Sequence, residues 1–269
     1  GIIETYSNTT ENLHGGFAEA ALDTAGNAVI SNLGGGRTIF ANSASAGATG
    51  TGPAGGATIT NRDGGTTLFT EGSTAGQAVI TNGQNGTTSF ADQSTADRSL
   101  IINDEGRTTF AGGSGAGAST ISNRNGGSAE FGDNTSANTA AIDNQNGQTS
   151  FKGDSTAGSA GIANFSDGST TFSDRSSAGA ARIEADGGGV FNNKTGIFFK
   201  GASTAGTAGI SIKNGAIAAF DDNSTAAAAT INSDRGTVSF AGTAKAGSAA
   251  INITNNGAVQ FFEGSTADS

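Results

Sequence analysis

The chain has 269 residues, no cysteine and a formal net charge of −10, with only 13% charged residues. Binding to phosphates needs a basic patch, and none is visible, so we expect no nucleic-acid partner. Without cysteine the chain has neither disulfides nor thiolate-bound metal. It lacks a run of about twenty apolar residues, so we expect no membrane insertion of this segment.

A phenylalanine returns about every 20 or 21 residues over most of the chain. An isoleucine follows each of the first nine of these anchors by eleven residues. A short period sustained in this way indicates a repeat architecture, in which each unit buries its apolar side against its neighbours. The anchors are Phe69, Phe90, Phe110, Phe131, Phe151, Phe172, Phe199, Phe220, Phe240 and Phe261.

The chain has two parts, one that departs from the repeat period and one that follows it. Residues 1–23 depart from the period, and we interpret them as an irregular N-terminal coil or cap. Residues 24–269 form the repeat domain. Two insertions interrupt it, at residues 44–57 and 184–197. Loops on rigid scaffolds often carry binding, so each insertion is either a contact loop or a tolerated bulge.

Residues 65–85 show the pattern of one coil. Thr67 and Phe69 share one face of a short strand, and Ile80 and Asn82 share one face of another, because side chains alternate along a strand. The constant spacing of eleven residues from each phenylalanine to the next isoleucine favours stacked coils over hairpins, because stacked coils need equal path lengths. The sequence therefore predicts an all-β fold, a single-stranded parallel β-helix of about 11 coils of 20–21 residues, right-handed by the general crossover preference.

The corner after each phenylalanine has its own pattern. The sixth residue after the anchor is alanine in every unit from Phe40 onward, which predicts an inward position without room for a larger side chain. The next residue is usually glycine, and elsewhere Asp97, Asn138, Asp268 or Ala227. Glycine, asparagine and aspartate tolerate positive φ, so this position predicts a left-handed turn in which Ala227 is either strained or locally different.

An asparagine column follows the isoleucine strand and stops in the second half of the chain. Stacked amides hydrogen-bond from coil to coil, so we interpret the column as a structural ladder; ligand binding is the alternative. Its members are Asn32, Asn61, Asn82, Asn103, Asn123, Asn144 and Asn164.

An acidic column occupies the second position after many anchors and alternates with glycine. A weak calcium site is one interpretation, but hard cations need six to eight oxygens at short range, and one carboxylate in every second coil supplies too few. We therefore favour a solvated edge and assign no metal ligand. The acidic members are Glu71, Asp92, Asp133, Asp174, Asp222 and Glu263.

The repeated segments Gly-x-Thr-x-Phe, Ser-Thr-Ala-Gly and Ala-x-Ile-x-Asn resemble the β-strand repeats of exported bacterial β-solenoid surface proteins, such as autotransporter passengers and secreted adhesins. The resemblance covers about residues 24–269. It implies a solenoid and an extracellular or bacterial cell-surface location. That group includes adhesins, stalks and enzymes, so the resemblance leaves the activity open.

The sequence thus favours a non-enzymatic structural or adhesive rod segment that displays or spaces binding elements. We assign no catalytic residue and no cofactor. The only histidine, His14, and the only tyrosine, Tyr6, lie in the first turn. The expected partners are cell-surface or matrix carbohydrate or protein, together with end-to-end self-association. The alternatives are a carbohydrate-active β-helix enzyme and a self-assembling extracellular fibre subunit.

Overall fold

The computed structural model describes residues 2–5, 10–14, 24–47, 55–188 and 195–267, with side chains from residue 24 onward. Every element within these ranges is a β-strand. None of the described residues belongs to a helix that is long and apolar enough to cross a membrane. The chain divides into two compact units, Gly1–Ala141 and Ile142–Ser269.

The first unit contains two sheets whose strands alternate along the chain. One has the order β1-β3-β5-β7-β9-β11 and the other β2-β4-β6-β8-β10-β12. The strands are β1 Ile2–Thr5, β2 Thr10–His14, β3 Val29–Asn32, β4 Arg37–Ala41, β5 Thr58–Asn61, β6 Thr66–Phe69, β7 Val79–Asn82, β8 Thr87–Phe90, β9 Leu100–Asp104, β10 Arg107–Phe110, β11 Thr120–Arg124 and β12 Ser128–Phe131.

The second unit repeats this arrangement. Its sheets have the orders β13-β15-β17-β19-β21-β23 and β14-β16-β18-β20-β22-β24. The strands are β13 Ala141–Gln145, β14 Gln148–Phe151, β15 Gly161–Phe165, β16 Ser169–Phe172, β17 Arg182–Asp186, β18 Gly196–Phe199, β19 Gly209–Lys213, β20 Ile217–Phe220, β21 Thr230–Asp234, β22 Thr237–Phe240, β23 Ala250–Thr254 and β24 Ala258–Phe261.

Equivalent residues of successive coils pair in parallel register. Phe110 lies beside Phe90 and Phe131, and Ile121 lies beside Ile101. The phenylalanine rings stack at 4.5–4.9 Å between centroids in the first unit and at 4.6–4.9 Å in the second. This register confirms the predicted parallel β-helix, while its handedness stays a prediction.

The Ser-Thr-Ala-Gly motif builds one corner of each coil, as residues 73–76 show. Ser73 Oγ donates a 3.0 Å hydrogen bond to the carbonyl of Phe40, one coil earlier. Thr74 forms single-residue bridges with the neighbouring coils, and its Oγ1 accepts a 3.0 Å hydrogen bond from the amide of Gly76. Ala75 is fully buried. Each residue of this corner therefore has its own role, although the equivalent Ser155, Ser176, Ser203 and Ser224 have an Oγ without a hydrogen-bond partner among the described residues.

The residue after the buried alanine has a left-handed backbone, as predicted. Gly76, Asp97 and Asn138 have φ of 55°, 50° and 52°. Ala227 has φ of 51°, so it keeps the common turn although its Cβ disfavours that conformation. Of the two predicted alternatives, the locally different conformation is therefore wrong, and the strained left-handed alanine is the one that agrees with the structure.

A second glycine column lies four residues before nine of the eleven phenylalanines from Phe40 onward, and its glycines have another cause. Gly65 and Gly86 lack positive φ. A Cβ at Gly65 would lie 1.9 Å from the carbonyl oxygen of Asn32, and one at Gly86 would lie 2.1 Å from that of Asn61. These glycines therefore allow the backbones of adjacent coils to approach each other closely.

The first strands extend both sheets. The backbone of β1 pairs with β3 so that Ile3 lies opposite Ile30, and β2 pairs with β4 so that Leu13 lies opposite Phe40. The rest of the proposed N-terminal coil or cap, which includes Tyr6, lies outside the described residues.

Candidate functional site

The asparagine column is a buried structural ladder, as the sequence predicted. In the first unit, Nδ2 of Asn61 donates to Oδ1 of Asn82 at 2.8 Å, and Asn82 donates to Asn103 at the same distance. In the second unit, Asn144 donates to Asn164 at 2.8 Å. All seven members are fully buried, so they are inaccessible to a ligand.

A threonine column completes the ladder, and sequence reasoning missed it. Thr88 Oγ1 donates to Asn82 Oδ1 at 2.9 Å, and it also accepts from Asn61 Nδ2 at 3.1 Å. The signal was present, since threonine stands two residues before many of the phenylalanines. It was easily overlooked because threonine is also an ordinary strand residue.

The acidic column belongs to a turn. Glu71, Asp92, Asp174 and Asp222 all have positive φ, between 48° and 60°, and so do the glycines that replace them. The carboxylates also cap neighbouring coils, because Asp174 Oδ2 accepts a 3.0 Å hydrogen bond from the amide of Gly153. Turn conformation and capping thus explain the alternation at these positions, and Asp133, which lacks positive φ, is the exception. The described part of the chain contains no group of three or more potential metal ligands among histidine, cysteine, aspartate and glutamate.

Backbone hydrogen bonds join the two ends of the first insertion where it leaves and re-enters its coil. Gly47 and Gly56 form an antiparallel bridge, and the amide of Ala57 donates to the carbonyl of Ala46 at 2.7 Å. The coil resumes at β5 in its normal register. Residues 48–54, including the only proline, lie outside the described residues.

The second insertion is shorter than its predicted range of 184–197. Its first residues belong to β17 and its last to β18, so that residues 187–195 connect the two strands where residues 166–168 connect β15 and β16. The buried Thr195 accepts a 3.0 Å hydrogen bond from the amide of Asp167. Residues 189–194 lie outside the described residues.

A groove of about 460 Å³ lies on the outward face of β15, β17, β19 and β21 in the second unit. It forms where Gly161 and Gly209 stand on either side of the exposed Arg182, directly opposite it in the strand register. Its polar lining includes Glu184 and Ser211. The remaining residues of the lining are Ile162, Ala163, Ile183, Ile210 and Asn232.

Charges near the groove are largely matched in pairs. Lys213 Nζ lies 2.8 Å from Glu184 Oε1, and this contact raises the pKa of Lys213. Burial raises the pKa of Asp186, but hydrogen bonds from the Gly188 amide and Asn214, with the charge of Lys213, outweigh burial and leave it lowered. Arg182 differs from these groups, because no carboxylate among the described residues lies within salt-bridge distance of it.

A partly buried carboxylate lies on the same sheet, in β13. Burial raises the pKa of Asp143, and its Oδ1 has no hydrogen-bond partner among the described residues. Gln145 donates to its other oxygen at 3.3 Å. This group is therefore held where ionisation is disfavoured.

Sequence reasoning did not identify the groove. The outward position before the isoleucine carries Val29, Val79 and Leu100 in the first unit, but Gly161 and Gly209 in the second. That change was the available signal. Outward positions vary widely in a solenoid, so the two glycines did not stand out.

Comparison with protein-family models, with curated proteins and with solved structures found no match to this chain.

Proposed function

We propose that this chain is a non-enzymatic structural and adhesive segment of an exported bacterial surface protein. Its coils hold outward side chains in fixed register at the bacterial cell surface or outside the cell. Through them it makes weak, multivalent contacts with cell-surface or matrix carbohydrate or protein. A carbohydrate-active enzyme stays the alternative of another class.

The contrast between inward and outward columns carries this proposal. Inward positions repeat the same side chains, as in Phe69, Phe90 and Phe110, and are almost fully buried. Outward positions on equivalent strands differ freely, as Val79 and Arg182 show. Outward side chains can therefore be substituted without disturbing the packing of the core, which suits a protein that presents binding residues on its surface.

Bead retention tests the adhesive role. Beads that carry the purified chain at graded density should be retained on arrays of glycans and matrix proteins. Retention should rise more steeply than density, because several weak contacts act together. Beads with the heat-denatured chain are the control. Turnover of a polysaccharide that is abolished in Glu184→Gln would contradict the proposal and favour the enzyme.

A self-assembling extracellular fibre subunit stays the second alternative.

A further inference from the structure

The groove in the second unit contains two glycines that the backbone does not require. Gly161 and Gly209 lack positive φ, and a Cβ built at either position has no atom within 4 Å. They are the first residues of β15 and β19, where glycine contributes no side chain to the outward face. A glycine that neither conformation nor packing demands often marks a place where a ligand approaches the strand closely.

The guanidinium group of Arg182 lies between these two glycines in the groove. The strand register places Arg182 between Gly161 and Gly209, so both faces of its side chain are free of bulky neighbours. Arg182 is exposed and has no ion pair within the described residues. A planar guanidinium with five donors matches a carboxylate in two-point geometry, and such charge-assisted hydrogen bonds are the strong ones.

The opposite side of the groove supplies the complementary polar groups. Glu184 provides acceptors, and its charge is balanced by Lys213. Ser211 provides a hydroxyl. Asn232 Oδ1 accepts a 2.9 Å hydrogen bond from Asn252, so its amide NH₂ is left to donate outward. A carboxylate, a hydroxyl and an amide thus lie side by side on adjacent strands, and together they can accept from and donate to the hydroxyl groups of a ligand.

We propose that this groove binds an acidic oligosaccharide, with Arg182 on a sugar carboxylate and Glu184, Ser211 and Asn232 on its hydroxyls. Four strands at about 4.8 Å spacing give a groove of roughly 14 Å, long enough for a short oligosaccharide. The assignment rests on the adhesive role proposed above and gives that role a ligand class. In a chain of net charge −10, an anion needs a specific cationic contact of this kind.

The test uses the whole chain and a trisaccharide of galacturonic acid, with the neutral trisaccharide of galactose for comparison. Titration followed by amide NMR should shift the signals of Gly161 and Gly209, and the acidic sugar should bind several-fold more tightly. Arg182→Gln should weaken binding roughly tenfold or more, since it removes a charge-assisted contact. Arg37→Gln, at an exposed position in the first unit, is the matched control and should leave binding unchanged.

A second variant keeps the test independent of charge. Gly209→Val fills the groove with a side chain that strands favour, so it should melt at an equal or higher temperature than the parent yet lose binding. Thr58→Val, at the equivalent outward position of β5, should keep binding.

Three outcomes would overturn the proposal: no binding by the parent chain, equal binding of the neutral sugar, or binding that survives both groove variants. The adhesive role would still stand if bead retention remained, because that assay does not depend on this groove.

Discussion

Thr170 Oγ1 donates a 2.9 Å hydrogen bond to Oδ1 of Asn164, and this is the final pair of its kind along the described chain. In the next coil the two positions are occupied by Ala185 and Ile197, both fully buried. The coil after that has Ile212 and Ala218, also fully buried. The hydrogen bond thus couples the amide and the hydroxyl in the coils that have both. Both are absent from these two coils, whereas the coil of Asn123 keeps the amide and has Ala129 at the threonine position.

Asn82→Ala should test this coupling. The change removes acceptors for Asn61 and Thr88 and the donor to Asn103, so the free energy of unfolding should fall by about 2–4 kcal/mol. Chemical denaturation measures it. Asn252→Ala is the control, because Asn252 is an exposed outward amide, and it should change stability by less than about 0.5 kcal/mol. Equal effects of the two changes would contradict the ladder.

Phe110→Ala should lower the free energy of unfolding by about 3–5 kcal/mol, since it leaves a cavity between two stacked rings. The ring of Phe110 lies 4.9 Å from that of Phe90 and 4.5 Å from that of Phe131. In a repeat fold the damage stays near the site. Amide hydrogen exchange should therefore accelerate in β8, β10 and β12 and stay slow in β4. Thr109→Ala, on the outward face, is the control; uniform acceleration across the unit would oppose this view.

Ala227→Gly should stabilise the protein by up to about 1 kcal/mol, because it relieves a left-handed alanine. Ala226→Gly is the matched control one residue earlier. Ala226 is fully buried and lacks positive φ, so its change should destabilise by about 1 kcal/mol through a lost methyl group and a more flexible unfolded chain. Thermal unfolding of both variants separates the two effects, and a loss of stability in Ala227→Gly would refute the strain.

Asp143→Asn should raise stability at neutral pH. Burial raises the folded-state pKa of Asp143 above its usual 3.8, so its stabilising contribution is present below the unfolded pKa and is lost as pH rises through the folded one. The advantage of the asparagine should therefore fade as the pH falls to about 3. Asp154→Asn is the control of opposite sign, because the hydrogen bond from Arg175 lowers the pKa of Asp154. Parallel pH profiles for Asp143→Asn and the parent would contradict the assignment.

The sequence predicted the interior of each coil because packing restricts it to few side chains. Phenylalanine and isoleucine recur at fixed intervals because each, like Phe110 and Ile101, must lie beside its equivalent in the next coil. The repeated glycine at Gly65 is visible in the sequence, but its cause, the close approach of the Asn32 carbonyl, is a contact between coils that a linear pattern does not show. The groove around Arg182 was not predicted for a related reason. Outward side chains are not restricted by packing in the core, so only the strand register shows which of them lie side by side.

Phe262→Glu should reduce the end-to-end self-association that the sequence predicts, when it is measured on the 269-residue chain. The side chain of Phe262 is 49% exposed, and a charge there opposes burial against a second copy of the chain. Sedimentation velocity across a range of concentrations should show association for the parent and less for the variant. Leu100→Glu, which removes a 37% exposed apolar side chain from an outward sheet face, is the control and should associate like the parent. A parent chain that stays monomeric at high concentration, or equal losses in both variants, would exclude end-to-end contact through this edge.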